Sequence, residues 1–164
     1  MNSLPIVTAE GVFIARYSTS GLSELNFPAP QQRVDAVSDL DVTDWHAITI
    51  AAVQAILRGV LPEQLPPLAL NGHTAFRRKV WGEMQRIPLG RTVSYADLAS
   101  RIGQPNAARA VGGACGANPI PLIIPCHRVL AARQKLGGFS GGLEWKRKLL
   151  AIESVTRPYP NAAA

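Results

Sequence analysis

Thr92-Val93-Ser94-Tyr95-Ala96-Asp97-Leu98-Ala99, then Ile102-Gly103-Gln104-Pro105, then Asn106 and the run Ala107-Ala108-Arg109-Ala110-Val111-Gly112-Gly113-Ala114-Cys115, decide the fold of the second half of this chain. Ser94 can cap a short helix, with Asp97 three residues on favouring its positive end. The Gly-Gln-Pro segment breaks that helix, and Asn106 is expected to cap a second one running from Ala107 to about Cys115. Two short helices joined by a tight Gly-containing turn predict a helix-turn-helix. The second helix is almost bare of long side chains except Arg109, and Gly112 and Gly113 each cost about 1 kcal/mol relative to Ala inside a helix. A helix weakened in this way needs something close to its backbone. A phosphodiester or groove wall would fit, and so would tight helix–helix packing.

Downstream, Asn118-Pro119-Ile120-Pro121 is expected to stiffen the chain into an extended run ending at Ile123-Ile124-Pro125-Cys126-His127-Arg128-Val129. That run sets one of two cysteines beside one of three histidines. A thiol attacks as thiolate, and a neighbouring His or a charge such as Arg128 raises the thiolate fraction. The alternative is a buried Cys126 that merely fills the core. Side chains alternate along an extended segment, so Cys126 and His127 are expected to face apart. Gln134 to Gly142 contains Gly137, Gly138, Gly141 and Gly142 and reads as a mobile loop carrying Phe139 and Ser140. Leu143 to Glu153 reads as a final helix with Leu149, Leu150 and Ile152 on its apolar side. The tail from Pro158 to Ala164 is expected to be disordered.

Upstream, Phe76, Val80, Trp81, Met84 and Ile87 form a helical stripe ended by Pro88-Leu89-Gly90, with Arg77, Arg78 and Lys79 on the other face. Leu61-Pro62-Glu63-Gln64-Leu65-Pro66-Pro67 punctuates the chain as an extended linker, placing a domain boundary near residues 60–74. Before it, Trp45 to Arg58 reads as a helix stopped by Gly59. Residues 12–17 and 22–27 flank Ser18-Thr19-Ser20-Gly21 and read as a β-hairpin. Pro28 to Asp44 reads as a polar connector.

Charge divides the chain at the same place. Residues 1–74 carry three Lys or Arg against seven acids, net −4, whereas residues 75–164 carry fourteen against four, net +10. A basic half points to a polyanion, nucleic acid first, with a solvated basic face as the alternative. At 47% hydrophobic and 17% charged, the chain is expected to fold rather than remain disordered. Two cysteines eleven residues apart make no disulfide framework, and with three scattered histidines they give no zinc spacing. A working free thiol needs a reducing compartment. Met1 to Glu10 lacks a signal-peptide pattern, and the longest apolar helical run, Ala47 to Leu57, is too short to cross a bilayer. A soluble cytoplasmic protein is expected.

Taken together, Thr92-Val93-Ser94-Tyr95, Ala108-Arg109-Ala110-Val111-Gly112-Gly113-Ala114, Asn118-Pro119, Ile124-Pro125-Cys126-His127-Arg128-Val129, Ser140-Gly141-Gly142-Leu143 and Leu149-Leu150-Ala151-Ile152-Glu153 resemble the methylated-DNA–protein-cysteine methyltransferases, the O6-alkylguanine-DNA alkyltransferases. The resemblance covers about residues 75–155. It implies an α/β protein with a small ribonuclease-H-like N-terminal domain (1–74), a winged-helix DNA-binding and catalytic domain (75–155), and a tail (156–164). It implies binding in the minor groove of duplex DNA and flipping of the damaged guanine, with O4-alkylthymine as a second substrate. Cys126 would take the alkyl group from O6 in one irreversible step, so each molecule acts once. His127 would act through a bridging water, oriented by Glu153, and Tyr95 would donate a proton to the leaving guanine. Arg109 would fill the gap left by the extruded nucleotide, or else only contact phosphate. Ala108, Ala110, Gly112 and Gly113 would let the helix enter the groove. Asn118 would be a hinge, Ser140 would bond the O6 side of the base, and the carbonyls of Cys126 and Val129 would read its amino group. Ser94 and Arg128 are placed among the DNA-binding residues, and Cys115 is read as structural and away from the motif. No cofactor or metal is implied. A monomer that can cluster along DNA is expected. A non-catalytic lesion-binding protein of the same family is the alternative, and a DNA-binding regulator with an alkylation-sensing thiol is a third reading.

Overall fold

The computed structural model describes residues 2–30, 41–153 and 157–158. Two compact units result, Met1–Gly72 and His73–Ala164. The connector segment 31–40 and the tail 159–164 lie outside the described residues.

The first unit is an antiparallel meander, β1 (Asn2–Thr8), β2 (Gly11–Ser18) and β3 (Gly21–Asn26), with one helix, α1 (Thr43–Leu57). The expected hairpin is β2–β3, closed by Ser18 opposite Gly21. β1 adds a strand on the other side, pairing Thr8 with Gly11 and Asn2 with Tyr17. Pro5 is tolerated there because β1 is an edge strand, where a missing donor is cheap. Ile6, Phe13, Tyr17, Leu22 and Leu25 share one face of the sheet and are buried, as are Ala52, Val53 and Ile56 of α1. Gly59 ends α1 at φ +73°, in the left-handed region that glycine accepts without penalty. The proline-rich segment does not run free to its end: Leu22 N–H donates to the Pro67 carbonyl (2.8 Å) and Ala69 N–H to the Leu22 carbonyl (2.8 Å). That docking explains Gly21, where a Cβ would stand 2.1 Å from the Pro67 oxygen.

The second unit contains α2 (Ala75–Met84), β4 (Arg91–Ser94), α3 (Tyr95–Arg101), α4 (Ala108–Gly116), β5 (Val129–Leu130), α5 (Leu143–Ile152) and β6 (Arg157–Pro158). Its small sheet has the order β5-β4-β6, both pairings parallel. β6 lies within the segment expected to be tail. Thr74 caps α2, accepting from Arg77 N–H at 3.3 Å. The buried residues Val80, Trp81, Met84 and Ile87 are those of the expected stripe. Trp81 Nε1 donates to the Ala114 carbonyl at 2.8 Å and so ties α2 to α4.

Ser94 begins α3 with a reciprocal capping box: Asp97 N–H donates to Ser94 Oγ (3.0 Å) and Ser94 N–H to Asp97 Oδ2 (3.1 Å). α4 departs from expectation at its start. Its N-cap is Ala107, with no side-chain cap bond, so Asn106 does not take that place. The reason is a tight turn in which Ala107 N–H donates to the Gln104 carbonyl (2.9 Å), leaving Asn106 inside the turn.

A second correction concerns the approach to Cys126. It is a run of turns and bends, Leu122 stands at φ +71°, and Cys126–Arg128 is a single 3-10 turn rather than the end of an extended strand. Asn118 enforces the bend: its Nδ2 donates to the Ile124 carbonyl (2.8 Å) and its Oδ1 accepts from Ile120 N–H (3.0 Å). Pro125, with no N–H, starts the turn, and Arg128 N–H donates to its carbonyl at 3.0 Å.

Candidate active site

The 3-10 turn holds Cys126, His127 and Arg128, all buried, between β5 and the C-terminal end of α5. Glu153, immediately after α5, is the hub. Its Oε1 lies 2.7 Å from His127 Nε2. Arg128 donates to the same carboxylate through Nε (2.9 Å to Oε2) and Nη2 (2.9 Å to Oε1), and its Nη1 donates to the Ile87 carbonyl at 2.7 Å. Gly90 N–H adds a further donor at 3.3 Å. These bonds hold the Glu153 carboxyl at a pKa of about 2 despite burial, so it is ionised at neutral pH.

An ionised acceptor makes His127 the donor, which puts its proton on Nε2 and leaves the Nδ1 lone pair open. Nδ1 is buried and has no hydrogen-bond partner among the described residues. Burial lowers the His127 pKa, with the Arg128 and Lys146 charges acting in the same direction against Glu153, so the ring is a neutral base. Burial raises the Cys126 pKa. The Asn118 amide, the Lys146 charge and two backbone N–H groups oppose that shift. A thiol held in this way needs a base to take its proton.

Tyr95, the first residue of α3, is half-buried, and burial followed by the charges of Cys115 and Cys126 raises its pKa. It is a protonated phenol at neutral pH. Its hydroxyl marks one wall of the loop: a Cβ on Gly137, at φ +67°, would stand 2.9 Å from it. Cys115 lies within electrostatic range of Cys126, so it is not remote from the motif. Its thiol donates to Met84 Sδ (3.6 Å), and burial with that neighbouring charge pushes its pKa up to about 12.

Of the residues expected to meet DNA, several lie on the protein surface and others do not. Arg109, Ala110 and Gly113 are exposed on α4, and Ala108 and Gly112 are half-exposed. A Cβ on Gly113 would meet nothing within 4 Å, and one on Gly112 would make only ordinary contact with the Tyr95 ring at 3.9 Å. Packing inside the protein therefore does not require either glycine. Ser140 sits exposed in a turn closed by Gly142 N–H to the Phe139 carbonyl (3.0 Å). Arg128 is a correction: 6% exposed and bound to Glu153 and Ile87, it holds the turn instead of facing DNA. The Ser94 hydroxyl is committed to Asp97. The Cys126 carbonyl accepts from Val129 N–H and the Val129 carbonyl from Lys146 Nζ (2.7 Å), so each keeps one lone pair for a base.

Lys146 is the residue that sequence reasoning missed. It is fully buried on α5, facing the same way as Leu149. The available signal was a lysine standing three residues before Leu149 and seven before Glu153, inside the apolar stripe. Among the described residues, no group of three or more His, Cys, Asp or Glu is arranged to hold a metal, and no helix is long and apolar enough to cross a membrane.

Comparison with known proteins agrees with this geometry. Residues 75–155 match the family model for the 6-O-methylguanine DNA methyltransferase DNA-binding domain. A methylated-DNA–protein-cysteine methyltransferase from Mycolicibacterium paratuberculosis is 50% identical over 131 residues, 76% of this chain and 79% of that protein. The protein of the same name from Mycobacterium tuberculosis strain H37Rv is 47% identical over 106 residues, 65% of this chain and 64% of its own length. The crystal structure of M. tuberculosis OGT in complex with DNA superposes with a TM-score of 0.75 at 36% identity, covering 94% of this chain and 93% of the other. On this similarity, and on the buried Cys-His-Arg turn anchored by a carboxylate, the chain belongs to the methylated-DNA–protein-cysteine methyltransferase family.

Proposed function

We propose that the protein repairs duplex DNA by moving the alkyl group of O6-alkylguanine, and of O4-alkylthymine, onto Cys126. The observation that carries this is His127, neutral by burial and fixed by Glu153 with Nδ1 open, next in the chain to a buried thiol. A water between Cys126 Sγ and His127 Nδ1 passes the thiol proton to the ring, and Glu153 stabilises the imidazolium. The thiolate attacks the alkyl carbon, so the S–C bond forms and the C–O6 bond breaks with its electron pair moving to O6. A proton from Tyr95 neutralises the leaving guanine, and the phenol is re-protonated from solvent. The product thioether is stable to water, so each molecule acts once.

α3 and α4 form the helix-turn-helix of a winged-helix domain spanning residues 75–155, and residues 1–74 form the ribonuclease-H-like domain. Exposed Arg109 enters the base stack, while Ala108, Ala110, Gly112 and Gly113 bring the α4 backbone against the minor groove. Asn118 is the hinge between α4 and the Cys126 turn. Ser140 and the carbonyls of Cys126 and Val129 read the flipped base. The protein acts as a monomer able to cluster on DNA, in a reducing cytoplasmic compartment.

The test is a duplex carrying O6-methylguanine with a labelled methyl group. Label on a Cys126 peptide, at no more than one per protein, is expected. Label on Cys115, turnover beyond one per protein, or tight lesion binding without transfer would each overturn the reading. The last outcome favours a non-catalytic lesion binder.

A further inference from the structure

Residues 131–135 form a tight hairpin where the chain leaves β5. Ala131 N–H donates to the Lys135 carbonyl (2.8 Å) and Lys135 N–H to the Ala132 carbonyl (3.4 Å). The two central residues are Arg133 (φ +58°, ψ +34°) and Gln134 (φ +58°), both left-handed, as a type I′ turn requires. Such turns favour Asn-Gly, Asp-Gly or Gly-Gly, because a bulky side chain is strained at positive φ. Arg133 and Gln134 are long and exposed, and no bond inside the protein repays that strain. Among the described residues neither they nor Lys135 make a side-chain hydrogen bond or an ion pair. A disfavoured turn kept without internal gain points to a ligand outside.

The fold puts this turn beside the candidate site. β5 runs parallel to β4 with Leu130 opposite Ser94, so the hairpin emerges next to the start of α3. Arg133 and Gln134 line a cleft of about 160 Å³ there with Thr92, Val93 and Ser94. The carboxylate on that cleft, Asp97, is bound to the Ser94 hydroxyl and N–H in the α3 cap. Tyr95 follows Ser94, and each edge of its ring has a neighbour. Cε1 faces Gly112 of α4, where a Cβ would stand 3.9 Å away, and Cε2 faces Gly137, at 3.4 Å by the same measure. A Cβ on Gly137 would also lie 3.5 Å from the Ala131 side chain, at the foot of the hairpin. Tyr95 therefore stands between α4 and the hairpin, with exposed Arg109 on the first and exposed Arg133 and Lys135 on the second.

We propose that the 131–135 hairpin is a second phosphate-binding element: its strained tip presents Arg133 and Lys135 to the DNA backbone on the side of Tyr95 opposite α4. The backbone around the extruded nucleotide is then held from both sides, by α4 and by the hairpin. Contacts to phosphate position a protein on the duplex without reading its sequence, a task for which two exposed, unpaired cations suffice. This rests on α4 being the surface that meets lesion-bearing duplex DNA.

The experiment measures affinity for a duplex carrying O6-methylguanine by fluorescence anisotropy, from about 50 to about 200 mM salt. The full-length protein carries Cys126→Ala, so that no transfer intervenes. Arg133→Gln with Lys135→Gln is expected to make the slope of log K against log salt shallower by about 1.8, about 0.9 for each lost phosphate contact. Over that range the unsubstituted hairpin then loses roughly twelvefold more affinity than the substituted one. Arg133→Lys keeps the charge and is expected to keep the slope. Arg133→Asn with Gln134→Gly, the pair the turn prefers, is expected to raise the melting temperature and still lower the slope by about 0.9. A lower melting temperature would show that the arginine serves the fold, and overturns the proposal. Arg77→Gln with Lys79→Gln removes the same charge from the exposed face of α2, whose other face packs on α4 through Trp81, and is expected to leave the slope unchanged. A slope unaltered by the Arg133 and Lys135 substitutions overturns the proposal, and so does an equal drop from the α2 pair. Failure of the underlying reading looks different, since the protein with an intact hairpin would then bind no duplex at any salt.

Discussion

Replacing Glu153 by Gln tests the buried hub most directly. The substitution keeps shape and removes one negative charge, which leaves the Arg128 guanidinium 6% exposed without a counter-ion. Breaking a buried pair by removing one partner costs about 3–5 kcal/mol. The amide cannot satisfy its neighbours in either orientation, because His127 Nε2, Arg128 Nε and Gly90 N all point donors at it. If its NH2 turns to His127, the ring proton moves to Nδ1 and the open lone pair is lost. For a chain of this size the melting temperature should fall by on the order of 10 °C, read by calorimetry. Single-turnover methyl transfer should slow on the order of a hundredfold or more, the usual worth of a positioned base. A double-mutant cycle separates the causes. In an Arg128→Met background no buried cation is orphaned, so Glu153→Gln should cost at least about 2 kcal/mol less. A melting shift under about 2 °C with an unchanged transfer rate would refute the reasoning.

Three other perturbations probe separate parts of the site. Arg109→Lys should slow transfer from duplex DNA while leaving Cys126 alkylation by iodoacetamide unchanged; near-parental transfer would reduce Arg109 to a phosphate contact. Gly137→Ala puts a methyl group at φ +67° and 2.9 Å from the Tyr95 hydroxyl, so it should destabilise by about 1–3 kcal/mol and slow transfer, and a neutral result in urea unfolding and transfer assays would contradict the described loop. Acid should destabilise the protein in two windows. The folded His127 pKa lies below its ordinary 6.5, so the unfolded chain takes up that proton first and stability falls as pH drops below about 6.5. Glu153, at about 2 against an ordinary 4.5, contributes about 3 kcal/mol that is present above pH 4.5 and lost toward pH 2. Urea midpoints that stay flat from pH 7 to 5 would contradict the first sign, and midpoints that stay flat from pH 4.5 to 2 the second.

The sequence disclosed most where local rules act alone. The β2–β3 hairpin, α1 and the Ser94–Asp97 cap follow from alternation, helical spacing and capping chemistry within a few residues. It disclosed least where distant groups decide. Nothing local shows that Asn118 bends the chain by reaching Ile124, so an extended run was expected where a 3-10 turn stands. Arg128 looked like a DNA contact because a lone arginine beside a motif does not show its partner, and Glu153 lies 25 residues away. β1 was hidden by Pro5, acceptable only because the strand is an edge, and the two-residue β6 has no pattern to read. Lys146 was hidden by its type, since lysine is normally counted as surface.

The register of α5 bears on how such chains can change length. Inserting one residue between Lys146 and Glu153 would swing one of them by about 100° around the helix and detach either Lys146 from the Val129 carbonyl or Glu153 from the His127–Arg128 turn. Insertions before Leu143 or after Glu153 leave that pairing intact. Lysine and glutamate separated by six residues therefore act as a ruler. A homologous chain that keeps Pro-Cys-His-Arg but breaks this interval is expected to have lost single-use chemistry while still able to fold and bind DNA.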